Sequence, residues 1–265
     1  MIPFLIRPRA LAEKMRRAVL LARARTEGLT PLTRDELSRI ESLGDNCEIG
    51  AVLALLGYHH GGLFKWANNP PDALLKALMD DLRNLYRFEN LTPFTRSMVK
   101  DNAYGVAFHS GMNSKAGAFA KSDEARRVVH CGEIGKIQHL RARFMHRAAM
   151  GGAVFVIKRN VGLAPALLDA IERELLRLGG GKRFALLEVR VANTRHLPGT
   201  VDRLSELRFA GYVRGFADYE RAMSVKDLTG WARILKWVLQ ASPAPHWDRT
   251  AVEDTSQGEM FVSIR

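Results

Sequence analysis

The sequence predicts an α/β fold, or an α+β fold, built around a small and mostly parallel sheet with flanking helices. Three segments of the C-terminal half support this: 153–157 is a continuous apolar run, 163–178 has a helical pattern, and 184–191 is typical of a second strand. A strand, a helix and a second strand in this order favour a parallel pair with a right-handed crossover. We therefore expect a Rossmann-like core, preceded by a helical N-terminal part that carries Cys47.

The chain is expected to divide into three parts. Residues 1–30 are basic, 31–241 form a single α/β domain, and 242–265 form a C-terminal tail. Residues 9–27 place apolar side chains on one stripe and arginines largely around the rest, which predicts an amphipathic helix. The arginines interrupt the apolar run that a secretory signal peptide needs, so none is expected. The helix either packs on the domain or lies on an anionic membrane surface through residues 1–27.

The segment around Cys47 predicts two short helices. Residues 32–40 have the spacing of a capping box followed by helix. A turn then offers Asp45 or Asn46 as the cap of a second helix. That helix ends at Gly57 and has an apolar stripe at i, i+3, i+4 and i+7, formed by Ile49, Val52, Leu53 and Leu56. Cys47 is therefore expected in the first helical turn.

The remaining elements follow from proline, glycine and periodicity. The prolines at 70 and 71 predict the first turn of another helix. Residues 122–150 carry a helical pattern that Gly132 and Gly135 are expected to interrupt, because glycine weakens a helix. The other predicted elements are a strand over 104–108 ending at His109, a third strand over 212–216, a helix over 224–239 capped by Ser224, and a strand-like segment over 260–264.

Composition and charge narrow the range of partners. The net charge of +12 favours anions such as nucleic acid, acidic glycans or an anionic membrane surface. No zinc-finger spacing and no RNP-like aromatic pair occurs, so no specific nucleic acid is expected. Two cysteines, Cys47 and Cys131, make no disulfide framework and indicate a reducing compartment. The eight histidines lack metal-site spacing, so neither a metal nor another cofactor is predicted.

Cys47 is the first candidate for chemistry. A thiol at a helix N-terminus meets the positive end of the macrodipole and free backbone N–H groups, which predicts a lowered pKa and a nucleophilic thiolate. The same N–H groups, with the side-chain amide of Asn46, are candidates for holding an oxyanion. A histidine is then needed as base, and His109 at the end of a predicted strand is the first choice. The alternative is that Cys47 is a packed apolar residue.

A resemblance adds to this interpretation. The segment 42–78 resembles the start of a bacterial family of papain-like cysteine peptidases, in which a Ser-Leu-Gly-x-Asn-Cys motif precedes a helix. An Arg-rich helix, a strand and the following helix–strand unit extend the likeness to about residue 191. The residues that match the motif are Ser42, Leu43, Gly44, Asn46, Cys47 and Trp66; Lys65 departs from the aspartate of its commonest form. The resemblance implies a papain-like core, a Cys47 nucleophile with a later histidine, and a surface-glycan context.

Two functions remain open from the sequence. The first is a cysteine-dependent hydrolase or acyl transferase with a papain-like Cys–His arrangement, acting on an amide, ester or thioester in a bacterial surface-glycan context. The alternative is a non-enzymatic accessory or binding protein of polysaccharide biosynthesis whose basic face binds an acidic glycan. Under both, the protein is expected in the cytoplasm, where residues 1–27 offer peripheral attachment to the inner face of the membrane.

Overall fold

The computed structural model describes residues 31–218 and 224–242, together with Ala18 and Ala22. The described residues form an α/β fold, as the sequence predicts: a five-stranded sheet, mostly parallel, is flanked by helices. A three-stranded antiparallel sheet and a short hairpin precede the central strands of the main sheet.

Helices and strands are numbered in chain order along the described residues. The α-helices are α1 (Arg34–Ser38), α2 (Glu48–Leu55), α3 (Pro71–Met79), α4 (Asp123–Met150), α5 (Pro165–Leu178) and α6 (Leu228–Ala241), with one 3-10 turn at Phe88–Asn90. The strands are β1 (Ile40–Ser42), β2 (Leu91–Thr95), β3 (Met98–Asp101), β4 (Val106–His109), β5 (Ser114–Lys115), β6 (Ala118–Phe119), β7 (Val154–Lys158), β8 (Ala185–Val191), β9 (Val201–Arg203) and β10 (Arg208–Val213).

The main sheet has the strand order β1-β7-β8-β10-β9. Its first four strands run parallel, and β9 pairs antiparallel to β10 at the far edge. The predicted parallel pair is confirmed as β7 and β8, joined by α5. The predicted third strand occurs as β10, several residues earlier than expected. The carboxyl ends of the parallel strands share one edge of the sheet, which is where open α/β sheets bind their ligands.

Helices cover both faces of this sheet, so its central strands are buried on both sides. Along β7, Val154 and Val156 pack against α2 and α6, whereas Phe155 and Ile157 face α4 and α5. All five residues of β7 are buried, which explains why the strand has a continuous apolar run rather than alternation. Each large apolar side chain buried in this way contributes about 1.5–3 kcal/mol relative to exposure.

The helical N-terminal part needs correction, because it also contains strands. Ile40–Ser42, placed at a helix end by the sequence pattern, forms the edge strand β1 of the main sheet. Strands β2, β3 and β4 form an antiparallel sheet of which only β4 is predicted. The β2–β3 pairing contains an irregularity between Pro93 and Thr95, and β2 is buried only at its first residue. Short strands without strict alternation leave little periodic signal.

The predicted interruption of the helix over 122–150 is wrong, since α4 runs unbroken for 28 residues. Ser122 caps it by accepting a hydrogen bond from the N–H of Ala125. A Cβ at Gly132 or Gly135 would meet nothing within 4 Å, so both glycines face open space. Their helix penalty of about 1 kcal/mol each is outweighed by the packing of the rest of the helix.

The C-terminal helix begins later than predicted. Its cap is Asp227, whose Oδ1 accepts the N–H of Gly230 at 2.9 Å, and not Ser224. Trp231 and Leu235 point inward, whereas Trp237 is 41% exposed. The predicted strand over 260–264 and the N-terminal helix lie outside the described residues, except that positions 18 and 22 are helical. Within the described part, no helix is both long and apolar enough to cross a membrane.

Candidate functional site

The Cys47 loop, residues 43–47, joins the carboxyl end of β1 to the start of α2. Asn69 holds it in place: its Nδ2 donates to the Leu43 carbonyl at 2.8 Å and its backbone N–H donates to the Asp45 carbonyl at 2.9 Å. The Gly44–Asp45 peptide is cis, and Gly44 has φ +104°. A Cβ at Gly44 would lie 2.6 Å from the Asn69 carbonyl oxygen, so only glycine fits.

The N-cap residue of α2 is Cys47, and not Asp45 or Asn46 as predicted. Asn46 stands directly before it, and its Oδ1 accepts the N–H of Glu48 at 3.0 Å, so its side chain still satisfies one backbone donor of the first turn. Its Nδ2 has no hydrogen-bond partner in the described part of the chain and is shielded from solvent. With the loop in this conformation, the amide therefore does not reach a bound ligand, and the predicted oxyanion contact requires the loop to move.

Cys47 lies at the N-terminus of α2, as predicted, and its side chain is partly exposed. The predicted lowering of its pKa is wrong. Burial raises the pKa of the thiol to about 11, and the nearby ammonium of Lys158 opposes this rise only in part. Desolvation therefore outweighs the favourable position at the helix terminus. At neutral pH Cys47 is a thiol.

An ion pair that the sequence analysis missed lies beside Cys47. Lys158, the last residue of β7, places its Nζ 2.8 Å from Oε2 of Glu48, and both side chains are fully buried. Lys158 also donates to Oδ1 of Asn160 at 2.7 Å and lies over the ring of Phe216. Neither carboxylate oxygen of Glu48 receives a hydrogen bond of good geometry from the described residues. The attraction between Glu48 and Lys158 is thus the main interaction that holds this carboxylate.

His109 lies at the exposed end of β4, opposite Met98. Desolvation of its ring lowers its pKa, and a hydrogen bond with the backbone of Ser97 opposes that effect. No hydrogen bond joins His109, or any other histidine of the described residues, to Cys47. The two parts are nevertheless linked, because Asn68 pairs with Ala107 of β4 and the next residue, Asn69, holds the Cys47 loop.

A second cluster was not predicted as a site. It consists of five basic residues on the α4 side of β1, called the basic pocket below: Arg34, His60, Lys65, Arg143 and Arg147. Arg147 donates to Glu41 of β1 at 2.8 Å. Lys65 donates from its buried Nζ to the carbonyls of Tyr58 and His60 at 2.8 and 3.0 Å. Arg34 donates to Nε2 of His60 at 2.6 Å.

The basic pocket carries more positive charge than its surroundings neutralise. Glu41 is the one carboxylate that perturbs the pKa values of Lys65, Arg143 and Arg147. Burial, aided by Arg143, lowers the pKa of Lys65 to about 8 despite Glu41. Burial and Arg147 likewise lower the pKa of Arg143, whose Nη2 is buried without a partner among the described residues. Three cationic side chains thus share a single carboxylate.

Part of the basic pocket could be recognised in the sequence. Arg143 and Arg147 are four residues apart, so they lie on the same face of a helix. They lie in the Arg-rich run noted above, and a His-His-Gly-Gly loop stands nearby at 59–62. What the sequence does not show is that Lys65, in the apolar segment 63–67, turns its ammonium toward them. That contact depends on the turn at 63–66.

Comparison of the chain with protein-family models, with curated proteins and with solved structures finds no match. The resemblance to papain-like peptidases remains an expectation from the motif residues. In the described part of the chain, no group of three or more His, Cys, Asp or Glu side chains is arranged to hold a metal ion.

Proposed function

We propose that the protein is an accessory binding protein that recognises an anionic ligand, such as an acidic glycan or glycan precursor, through the basic pocket. The observation that carries this proposal is the imbalance of charge: Lys65, Arg143 and Arg147 all lie near Glu41, and Lys65, Arg147 and part of Arg143 are removed from water. Like charges held close together in a poorly solvated place raise the free energy of the folded state. A bound anion offsets that effect.

The strength of the attraction between partly buried charges favours binding of a small anionic group. Two unit charges 4 Å apart attract by about 4 kcal/mol at an effective dielectric constant of about 20. Surface charges are screened at physiological salt within about 8 Å, whereas partly buried charges are screened much less. The pocket is therefore expected to retain its affinity at a salt concentration that abolishes attraction to the basic surface in general. In this role, Cys47 is a structural residue of its loop.

Calorimetric titration tests the proposal. Galacturonate oligomers, glucose 1-phosphate and pyrophosphate are titrated at 150 mM salt into the native chain and into Arg143→Met and Arg173→Met. Arg173 is an exposed residue of α5 outside the pocket, so its variant loses the same charge. We expect at least one anion to bind, Arg143→Met to weaken binding at least tenfold, and Arg173→Met to change it less than twofold. Equal losses in both variants, or no binding at all, contradict the proposal.

A second candidate function, the cysteine-dependent hydrolase or acyl transferase, is favoured by one observation. Cys47 keeps part of its side chain exposed at a helix N-terminus, at the carboxyl edge of the parallel sheet. In this function the base, His109 by the sequence prediction, takes the thiol proton as the sulfur adds to the carbonyl carbon. The bond to the amine, alcohol or thiol of the substrate then breaks, that leaving group receives the proton, and water or another acceptor later releases the acyl group from Cys47. The link between β4 and the Cys47 loop through Asn68 and Asn69 supports that assignment.

Alkylation against pH separates the two candidates. Iodoacetamide labelling of the native protein is followed by mass spectrometry, with the exposed Cys131 as internal reference. The binding proposal predicts a Cys47 midpoint near 11 and slower labelling than Cys131 at neutral pH. A midpoint below the value of about 8.5 for a free thiol would establish an activated nucleophile and favour the hydrolase.

A further inference from the structure

The loop at 59–62 has, beside the basic pocket, two backbone N–H groups without a partner among the described residues. Gly61 and Gly62 are both partly exposed, and the N–H of neither one donates to any residue in the described part of the chain. A Cβ at Gly61 would lie 3.2 Å from Leu140 of α4, and one at Gly62 would lie 2.8 Å from Oε1 of Glu41. The absence of side chains here lets the loop approach α4 and β1 closely. Unpaired N–H groups beside cationic side chains are available to the oxygens of an anion.

Side chains of the pocket add further donors beside this loop. Leu140, which Gly61 approaches, and Arg143 are three residues apart on α4 and therefore share a face. Arg34 is exposed, and only one of its five N–H donors is used by His60. Since arginine has no acceptor, Nε2 of His60 accepts this bond, and a neutral His60 carries its proton on Nδ1. Partial burial, together with neighbouring cations, lowers the pKa of His60 and so favours that neutral form.

The one acidic group in the pocket is already neutralised. Glu41 lies beside Gly62, but its Oε2 is held by Arg147 at 2.8 Å in a buried ion pair. The charges of Arg34, Arg143 and protonated Lys65 then remain without a carboxylate partner in the pocket. The matching ligand group carries more than one negative charge and has several acceptor oxygens.

We infer that the basic pocket recognises a phosphate ester, with the phosphate oxygens held by the N–H groups of Gly61 and Gly62 and by Arg34 and Arg143. This inference rests on the proposed binding function and specifies its ligand class. A phosphate monoester has close to two negative charges and three free acceptor oxygens. A carboxylate has one charge and two oxygens, so it leaves part of the donor set and of the charge unmatched.

A comparison of matched probes tests the inference. Glucose 1-phosphate and glucuronate are titrated at equal ionic strength and 150 mM salt into the native chain, Arg34→Met, Arg143→Met and the control Arg173→Met. We expect glucose 1-phosphate to bind at least tenfold more tightly than glucuronate. Either pocket variant is expected to lower its affinity at least fivefold, and the control less than twofold. Phosphorus-31 line broadening at the same protein concentrations provides an independent readout for the phosphate probe.

The outcomes distinguish this inference from the function on which it rests. If glucuronate binds as tightly as glucose 1-phosphate and both depend on Arg143, anion binding stands and phosphate recognition is wrong. If none of the anionic probes binds, phosphatidate vesicles included, or if Arg173→Met weakens binding as much as the pocket variants, both proposals are wrong. A parallel arm uses phosphatidylcholine vesicles with and without phosphatidate. Arg143-dependent binding to the phosphatidate vesicles in place of the sugar phosphate supports the phosphate ester and identifies a lipid as its source.

Discussion

The Lys158–Glu48 ion pair allows a quantitative prediction of stability. At 2.8 Å and an effective dielectric constant of about 20, the pair attracts by about 6 kcal/mol, and the desolvation of both groups cancels part of this. Removing one partner of such a buried pair costs about 3–5 kcal/mol. Glu48→Gln is expected to have a cost at the low end of this range, because Lys158 keeps its hydrogen bond to Asn160. Lys158→Met belongs at the high end, because Glu48 then has no donor left.

Urea unfolding at pH 7 measures these free energies. The double variant Glu48→Met/Lys158→Met is expected to lie within about 2 kcal/mol of the native chain, since it leaves no unpaired charge. The control is Lys226→Met, which breaks an exposed pair with Asp218 and is expected to cost less than about 1 kcal/mol. The reasoning is refuted if Lys158→Met costs no more than Lys226→Met. Because Lys158 lowers the pKa of Cys47, Lys158→Met is also expected to shift alkylation of Cys47 to higher pH.

Three further predictions concern the Cys47 loop and the basic pocket. Gly44→Ala is expected to lower the free energy of unfolding by about 3 kcal/mol, because φ is +104° and the new Cβ meets the Asn69 carbonyl; a thermal shift of less than 2 °C contradicts this. Gly50→Ala places its Cβ 2.3 Å from the Lys65 carbonyl and is expected to cost about 2 kcal/mol by urea unfolding, despite the higher helix propensity of alanine. The folded-state pKa of Lys65, about 8, lies below its ordinary value of 10.5, so between these values the unfolded chain binds more protons. The native chain should then gain stability relative to Lys65→Met as the pH rises from 8 to 10, and an unchanged difference contradicts the pKa assignment.

The central β7–α5–β8 unit could be predicted because its signal is local. Strand β7 is uniformly apolar, and α5 has a clear stripe with Leu168, Ile171 and Leu175 buried. Strand β1 gives no such signal. Two of its three residues, Glu41 and Ser42, are polar, yet all three are buried. Glu41 is compatible with burial only because Arg147, distant in sequence, reaches it, and no local pattern contains that information.

The candidate sites show the same division between local and distant causes. The position of Cys47 at the start of a helix and the hydrogen bond between Glu48 and the side chain of Asn46 follow from neighbouring residues. The pKa of Cys47 does not, because it depends on burial and on Lys158 from another strand. The basic pocket likewise joins α1 and the 59–62 loop to the end of α4, and Arg143 stands more than a hundred residues after Arg34. Arg143 and Arg147 are predictable as neighbours, whereas their approach to Lys65 is not.

The position of β1 at the edge of the main sheet has a consequence for the order of folding. Ile40 pairs with Val154, so two adjacent parallel strands enclose more than a hundred residues of chain. Closing a loop of that length costs about 4 kcal/mol in chain entropy before the contacts between β1 and β7 stabilise the structure. The unit of β7, α5, β8 and β10 needs no such closure and is expected to assemble first. The Cys47 loop and the basic pocket, which both depend on β1, are then completed last, and in refolding the ability to bind an anion appears only after the central sheet has formed.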